Sequence, residues 1–196
     1  MKRVGVIVSA LALALSAFSA LAGGGHSQKV QYCSWCHGVS GQGFATAPRL
    51  AGQRAEYIEN QLQGFRQHTR PGPFMWNTAK NLDALDAGDL AAYFSAIPPQ
   101  AADDGDRVTA STGKTIYQQG IPSSNIVACA ACHGPNAEGI REIPRLGGLS
   151  ASYLKTRLDQ WAHGNLASAS APMPQIARQL SAADIDSLAS YLSFVK

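Results

Sequence analysis

The sequence predicts an all-α protein built from two tandem copies of one helical domain. Two observations lead to this fold class: the chain repeats itself, and its periodic segments have apolar residues at helical spacing without the alternation typical of strands. Residues 41–65 align with residues 137–161 at a shift of 96 positions. Beyond a two-residue insertion the shift becomes 98, and LAAYFSAI at 90–97 aligns with LASYLSFV at 188–195.

Two boundaries divide the chain around this repeat. The tandem prolines Pro98 and Pro99 end the preceding helix, and the small and acidic residues after them offer little to bury. We therefore assign residues 23–97 to a first domain, residues 98–106 to a linker and residues 107–196 to a second domain. Each domain is small enough that a large bound group would add to its stability.

The segment before the repeat is predicted to be a signal peptide. Lys2 and Arg3 precede a long uncharged run that closes with Ala20-Leu21-Ala22, an A-x-A cleavage site. Residues 1–22 are therefore expected to be removed on export, which leaves no membrane span in the mature chain. Retention of the leader as a membrane anchor stays open as an alternative, because the run approaches the length of a membrane span.

Two amphipathic helices are predicted in each domain. Apolar residues in the segment 54–66 lie on one helical face, and the second copy repeats that stripe. The stripe consists of Tyr57, Ile58, Leu62 and Phe65, repeated as Tyr153, Leu154, Leu158 and Trp161. A further helix is expected near residues 86–96 and again near 182–195, where Ser181 and Asp184 suit a helix start.

The charge of the mature chain argues against nucleic acid as a partner. Without Lys2 and Arg3, 14 of the 16 basic residues remain against 13 acidic ones. Binding to phosphate backbones needs a concentrated basic face, and neither half of the sequence has one.

All four cysteines lie in two Cys-x-x-Cys-His units, YCSWCHG at 32–38 and ACAACHG at 128–134. An exported protein commonly uses four cysteines for two disulfides. A structural zinc site keeps its cysteine pairs about 15–20 residues apart, whereas most of a domain separates the pairs here. Disulfide exchange of the thioredoxin type expects a βαβ context, which the sequence does not predict. A zinc site would also leave the two histidines without a role.

Cys-x-x-Cys followed by His is the attachment motif of c-type haem. The two thiols can form thioether bonds to one edge of a macrocycle while the next residue places its imidazole on the iron. The predicted attachment residues are Cys33, Cys36 and His37 for one haem, and Cys129, Cys132 and His133 for the other. The sequence therefore predicts two covalently bound haem c groups.

The other axial position of each iron decides between electron transfer and chemistry on a bound ligand. Beyond the leader the chain has only Met75 and Met173, at 38 and 40 residues after the two motif histidines. They lie at equivalent places in proline-containing loops, PGPFMW and SAPMPQ, so we predict that both are iron ligands rather than flexible core residues. His/Met coordination raises the reduction potential and leaves no open site, which predicts electron transfer rather than catalysis.

Other residues of the repeat are expected to support the haems. Pro48 and Pro144 each follow the motif histidine by 11 positions, and a carbonyl there is expected to accept the imidazole N–H. Arg49 and Arg145 are expected to pair with haem propionates, with a solvated side chain as the alternative. The tryptophans expected to pack on haem are Trp35, Trp76 and Trp161, and the histidines expected at the surface are His26, His68 and His163.

These motifs together resemble cytochrome c4, a family of dihaem periplasmic electron carriers of bacteria. The likeness rests on the two Cys-x-x-Cys-His units, a Pro-x-Leu downstream of each and a distal methionine in each domain, and it spans essentially the whole mature chain. The second half is the closer match, through GKTIYQQGIPSSNIVACAACHGPNAEGI, PRLGGLSASYL and DIDSLASYLSFV. In the first half TRPGPFMWNT departs from the family, which commonly has small residues around this methionine.

The resemblance implies a cytochrome c fold in each domain, with two low-spin haems facing each other across the domain interface. It implies a periplasmic carrier that takes electrons from a quinol-oxidising complex to a terminal haem-copper oxidase. The alternative is a dedicated electron-accepting subunit of a periplasmic dehydrogenase that oxidises a small reductant. A third hypothesis, an enzyme that acts at the haem itself, would need an open, histidine or cysteine distal position, and no cysteine is spare.

Overall fold

The computed structural model describes residues 23–44, 46–164 and 172–196. The predicted signal peptide, residues 1–22, lies outside the described residues. Across the described ranges the chain is helical, as predicted. The strand-like pairings found there are two isolated bridges, Ile121 with Ile126 and Ile140 with Ile143.

The first domain is built from α1 (Gly23–His37), α2 (Ala55–Arg66), α3 (Pro73–Ala79) and α4 (Ala84–Ala96). The bounds of α2 agree with the helix predicted at 54–66. Helix α4 begins earlier than the predicted residue 86, because Asp83 forms its N-terminal cap. The Asp83 carboxylate accepts the Asp86 backbone N–H at 2.7 Å, and the Asp86 carboxylate accepts the Asp83 N–H in return.

The second domain is built from α5 (Ala110–Gln119), a 3₁₀ turn (Pro122–Ser124), α6 (Ala130–His133), α7 (Ala151–Ala162), α8 (Met173–Ala177) and α9 (Ala182–Phe194). The predicted start of the last helix is confirmed. Ser181 and Asp184 form a reciprocal capping box, in which the Ser181 hydroxyl accepts the Asp184 N–H at 3.1 Å.

The two copies differ in how they lead into the Cys-x-x-Cys-His unit. In the first domain α1 runs without a break through Cys33 and Cys36 and ends at His37. In the second domain α5 ends at Gln119 with Gly120 as its C-terminal cap, and a loop with a 3₁₀ turn precedes the short helix α6. The polypeptide thus reaches the same motif by a straight helix in one copy and by a helix and loop in the other.

Each domain has its own hydrophobic core within the described residues. In the first domain the buried cluster consists of Ile58, Leu90, Ala91 and Phe94. In the second domain the larger cluster contains Ile116, Tyr117, Ala137, Leu149, Leu154, Leu188, Ala189 and Leu192. A third cluster, of Leu158, Ala177 and Ile185, lies where α7, α8 and α9 meet. None of these clusters includes residues of both domains, so each copy of the repeat has a core of its own.

The segment predicted as a linker, residues 98–106, has neither helix nor strand, but its packing is closer than its composition indicates. The Asp103 N–H donates to the Ser193 carbonyl at 3.0 Å, and the Asp106 N–H donates to the Ser190 hydroxyl at 3.1 Å. Side chains bury little here, but backbone groups and short polar side chains attach the segment to α9. The acidic side chains Asp103, Asp104 and Asp106 are exposed, as their composition indicates, and the backbone makes the contacts.

Candidate haem sites

The two Cys-x-x-Cys-His units lie at the C-terminal ends of α1 and α6. Each helix ends at a glycine with positive φ, Gly38 at +81° and Gly134 at +83°, a conformation that favours glycine at a helix terminus. The first cysteine of each pair is half-buried, and the second is exposed. No disulfide joins any of the four in the structure, so all remain available for attachment of haem.

The half-buried cysteines are poor candidates for a zinc site. Burial raises the pKa of the Cys33 thiol, and burial likewise raises the pKa of Cys129 to about 11. Both thiols are therefore protonated at neutral pH when no group is bound to them. No group of three or more His, Cys, Asp or Glu side chains that could hold a metal ion is found among the described residues.

The two motif histidines are buried, and each has one ring nitrogen engaged. His37 and His133 are each 7% exposed. His37 Nδ1 lies 2.7 Å from the Pro48 carbonyl oxygen, and His133 Nδ1 lies 3.0 Å from the Pro144 carbonyl oxygen. A carbonyl only accepts, so Nδ1 bears the proton and Nε2 keeps its lone pair for a metal.

Burial also keeps both imidazoles neutral. It lowers the pKa of His37 and of His133, more strongly than the proline carbonyls raise them. A neutral imidazole with a free Nε2 is the form that binds iron. The hydrogen bonds predicted from the 11-residue spacing are thus present in both copies.

The same hydrogen-bonded loop follows each histidine. The Gly43 N–H donates to the His37 carbonyl at 2.8 Å, and in the second copy the Gly139 N–H donates to the His133 carbonyl at 2.9 Å. A side chain at Gly43 would approach the Arg49 backbone nitrogen within 2.6 Å. These glycines let the loop fold back on the Pro-Arg segment and hold the proline carbonyl against the imidazole.

The predicted methionine ligands lie in short helices rather than in open loops. Met75 is in α3, whose first residue is Pro73, and Met173 is the first residue of α8. Both side chains are half-buried. Met173 packs against the cluster of Leu158, Ala177 and Ile185. Proline within the first two positions starts both helices, because its fixed φ suits the first turn.

Several buried guanidinium nitrogens fit the propionate groups of a haem. Arg49 is 7% exposed and donates from Nε to the Gln42 carbonyl at 3.2 Å, while Arg145 Nε donates to the Gly147 carbonyl at 3.0 Å. Four buried nitrogens have no hydrogen-bond partner among the described residues: Arg49 Nη1, Arg54 Nε, Arg70 Nε and Arg145 Nη2. Buried donors need acceptors, and carboxylates are the partners that guanidinium prefers. The donor set therefore fits haem carboxylates, and Arg54 and Arg70 were not anticipated from the sequence.

Two tyrosines and two arginines meet where the domains face each other. Arg70 Nη2 donates to the Tyr153 hydroxyl at 3.3 Å, and Arg70 also hydrogen-bonds to Tyr57. Burial raises the pKa of Tyr57. Burial and the charge of Arg70 lower the pKa of Arg157, which stacks 5.2 Å from the centroid of Trp161. The repeat pairs Tyr57 with Tyr153, but the sequence predicted them only as part of a helical stripe.

The three tryptophans and the remaining histidines differ in how far the protein buries them. Trp35, expected to pack on haem, is 73% exposed and tilts against Tyr32 at a centroid distance of 5.4 Å. Trp76 and Trp161 are half-buried. His68 and His163 are exposed, as predicted, and the described structure includes only the backbone of His26.

Comparison with known proteins agrees with this arrangement. The cytochrome c family model matches residues 27–97 and 110–196. Cytochrome c4 of Azotobacter vinelandii is 34% identical over 194 residues, which cover 92% of this chain and 90% of that protein. A thiosulfate dehydrogenase electron acceptor of Thiomonas intermedia is 36% identical over 138 residues, 68% of this chain and 64% of that protein. The crystal structure of reduced cytochrome c4 from Pseudomonas stutzeri superposes with a TM-score of 0.80 at 31% identity, covering 87% of this chain and 97% of that one.

Proposed function

The chain belongs to the cytochrome c family, as a dihaem electron carrier with two covalent haems rather than an enzyme, and from this premise we propose its role and its iron ligands. The role is that of a periplasmic shuttle, exported by a cleavable signal peptide. It accepts electrons from a quinol-oxidising complex and delivers them to a terminal haem-copper oxidase. Within the described residues no helix is long and apolar enough to cross a membrane.

In the proposed ligand set, His37 and Met75 bind the first iron, and His133 and Met173 bind the second. The cysteine pairs of the two motifs attach the porphyrins. The observation that supports this set best is the matching Nδ1-to-carbonyl hydrogen bonds, at 2.7 and 3.0 Å, which direct Nε2 of both histidines to a metal. Bound haem supplies one-electron chemistry between ferrous and ferric iron.

The protein residues around each iron favour electron transfer over binding of a further molecule. Met75 and Met173 would each supply a thioether ligand, which would stabilise ferrous iron and raise the potential. The buried arginines would place positive charge beside the carboxylates of a bound haem and hold them. With both axial ligands supplied by the protein, no position would remain for a further molecule, as a carrier requires.

A second candidate function is favoured by one relative. The thiosulfate dehydrogenase electron acceptor of Thiomonas intermedia accepts electrons from a dehydrogenase, as its name states. The present chain is then the dedicated acceptor subunit of a periplasmic dehydrogenase that oxidises a small reductant. Both functions use the same haems and differ only in the protein that reduces them.

Stopped-flow reduction of the oxidised holoprotein separates the two functions. Purified quinol-oxidising complex and a thiosulfate-oxidising dehydrogenase are each mixed with it, and the haem absorbance is followed. Rapid reduction by the quinol-oxidising complex alone, followed by rapid oxidation by a haem-copper oxidase, is the expected result. Rapid reduction by the dehydrogenase alone would replace the shuttle with the second function.

A further inference from the structure

Gln53 of the first domain is the residue on which this inference rests. It lies between the Pro48 loop and α2, and its side chain is almost fully buried at 5% exposure. Its amide reaches across to the second domain and binds both backbone polar groups of Arg145. Gln53 Nε2 donates to the Arg145 carbonyl at 3.0 Å, and the Arg145 N–H donates to Gln53 Oε1 at 2.7 Å.

The peptide group that Gln53 holds also orients a haem ligand. The Arg145 N–H and the Pro144 carbonyl belong to one planar peptide unit. On one side that unit donates its N–H to Gln53, and on the other its carbonyl accepts the His133 imidazole proton at 3.0 Å. A continuous chain of contacts therefore runs from a first-domain side chain to the imidazole of the second domain.

This chain of contacts runs from the first domain to the second, and the repeat has no equivalent residue to form it in the opposite direction. In the repeat Gln53 aligns with Leu149, whose side chain cannot hydrogen-bond and lies in the core of its own domain. Gln53 Oε1 also accepts the Arg54 N–H at 2.9 Å, which fixes the amide in one orientation. The second domain therefore offers no equivalent side chain at this position to the peptide between Pro48 and Arg49.

We propose that Gln53 is a positioning residue by which the first domain sets the reduction potential of the second haem. An N–H that is engaged by an acceptor makes the carbonyl of the same peptide a stronger acceptor, because hydrogen bonds in a chain polarise one another. A stronger acceptor for Nδ1–H makes the imidazole more basic, and a more basic ligand stabilises ferric iron. Gln53 thus lowers the second potential relative to the value that the second domain would have without it. The proposal rests on the assignment of His133 as an iron ligand.

Gln53→Leu tests this directly, because it gives the first domain the residue that the second domain has at the matching position. The matched control is Gln42→Leu. Gln42 is also a glutamine whose amide binds backbone, the Pro98 carbonyl and the Gln100 N–H at 3.3 and 3.2 Å, but it does not contact the Pro144 peptide. Both variants are made as full-length holoproteins and titrated potentiometrically, after two-haem content and the far-red band of iron-methionine coordination are verified.

The expected result for Gln53→Leu is an upward shift of the second potential alone. The exchange of the His133 Nδ1 proton with solvent, followed by NMR of the reduced protein, is expected to become at least tenfold faster. Gln42→Leu is expected to leave the second potential and the His133 proton unchanged. An unchanged second potential, or an equal shift of both potentials, would overturn the proposal while the ligand assignment stands.

A wild-type measurement keeps the proposal testable if Gln53→Leu does not fold. Amide exchange of the Arg145 N–H is expected to be as slow as that of the core helix α9. Rapid exchange of that amide would show that Gln53 does not hold the peptide, and the proposal would fail. Absence of the iron-methionine band in the wild type would instead overturn the assignment of Met75 and Met173, and it would leave the contact between Gln53 and the His133 partner peptide, on which the proposal rests, to be decided by the amide exchange.

Discussion

Met75 and Met173 occupy equivalent positions of the repeat, but their surroundings differ. Met173 packs against apolar residues of α7 and α9. Beside Met75 the indole of Trp76 donates to the Arg70 carbonyl at 2.6 Å, and the ring of His68 stacks on it at a centroid distance of 4.6 Å. Apolar packing therefore surrounds one proposed thioether ligand, and a hydrogen-bonded aromatic pair lies beside the other. The bulky residues by which TRPGPFMWNT departs from the family thus include the Trp76 side chain that packs beside Met75.

Replacing either methionine by alanine tests the proposed ligands. Met75→Ala and Met173→Ala are each expected to lower one potential, because the soft sulfur that stabilises ferrous iron is lost. Each variant is also expected to bind carbon monoxide at one iron, seen in the difference spectrum of the reduced protein. Phe74→Ala is the control, since Phe74 neighbours Met75 but is 91% exposed. Two methionine variants that bind no carbon monoxide would show that the assignment is wrong.

The residues of the candidate sites divide into those the sequence predicts and those it does not. The cysteines, histidines and methionines are predicted because each stands at the same place in both copies. Gln53 and Arg70 are not predicted, because their counterparts in the repeat differ and their contacts cross from one domain to the other. A repeat shows what its copies share, whereas residues that join the copies depend on the three-dimensional arrangement.

At the level of helices, α5 and α9 approach each other closely at Gly113. A methyl group at this glycine would lie 1.9 Å from the Ser187 carbonyl oxygen, which belongs to the backbone of α9. In α4 the glycine Gly88 has open surroundings, with the nearest atom, on Glu59, at 4.0 Å. The same substitution should therefore have opposite effects at these two helical positions.

Gly113→Ala is expected to destabilise the second domain by about 1–3 kcal/mol or more, because the two helices must move apart. Gly88→Ala is expected to stabilise the first domain by about 0.5–1 kcal/mol, because alanine favours the helix over the unfolded chain. Guanidinium unfolding of the ferric holoprotein, followed by circular dichroism, measures both. Equal effects of the two substitutions would contradict the close contact between α5 and α9.

The sequence predicts long amphipathic helices well and short or connecting segments poorly. Helices α2, α4 and α9 follow from their periodicity, and the cap at Ser181 follows from a local motif. The short helices α3 and α8 are predicted as loops, because helices of seven and five residues with proline in the first turn are too short to show periodicity. The packing of residues 103–106 on α9 escaped prediction because backbone groups, rather than apolar side chains, make the contacts.

For the whole molecule, the separate cores and the polar character of the interface suggest two folding units. The described clusters of buried residues each belong to one domain. Among the described residues, Gln53 and Arg70 hydrogen-bond across the two domains, and each such bond adds little stability. Burial of apolar surface is the main source of stability, so each core should unfold as a unit of its own.

Two transitions are therefore expected in guanidinium unfolding of the holoprotein, the first domain unfolding at the lower concentration. Among the described residues, its main buried cluster is the smaller, with four residues against eight in the main cluster of the second domain. Phe94→Ala is expected to lower the free energy of unfolding of the first domain by about 3–5 kcal/mol and so to shift only the first midpoint. Leu188→Ala is expected to lower the free energy of unfolding of the second domain by about 2–5 kcal/mol and so to shift only the second midpoint. Each substitution serves as the control for the other, because Phe94 and Leu188 lie in different cores.

Whether the two domains unfold separately or together shows how strongly the interface couples them. If the Gln53 contact and the arginine–tyrosine cluster add only a few hydrogen bonds, the second domain should keep its iron-methionine band after the first has unfolded. That residual band is measured by absorbance between the two midpoints. Complete loss of the band in one transition, shifted equally by Phe94→Ala and Leu188→Ala, would mean that the interface couples the two cores into one cooperative unit.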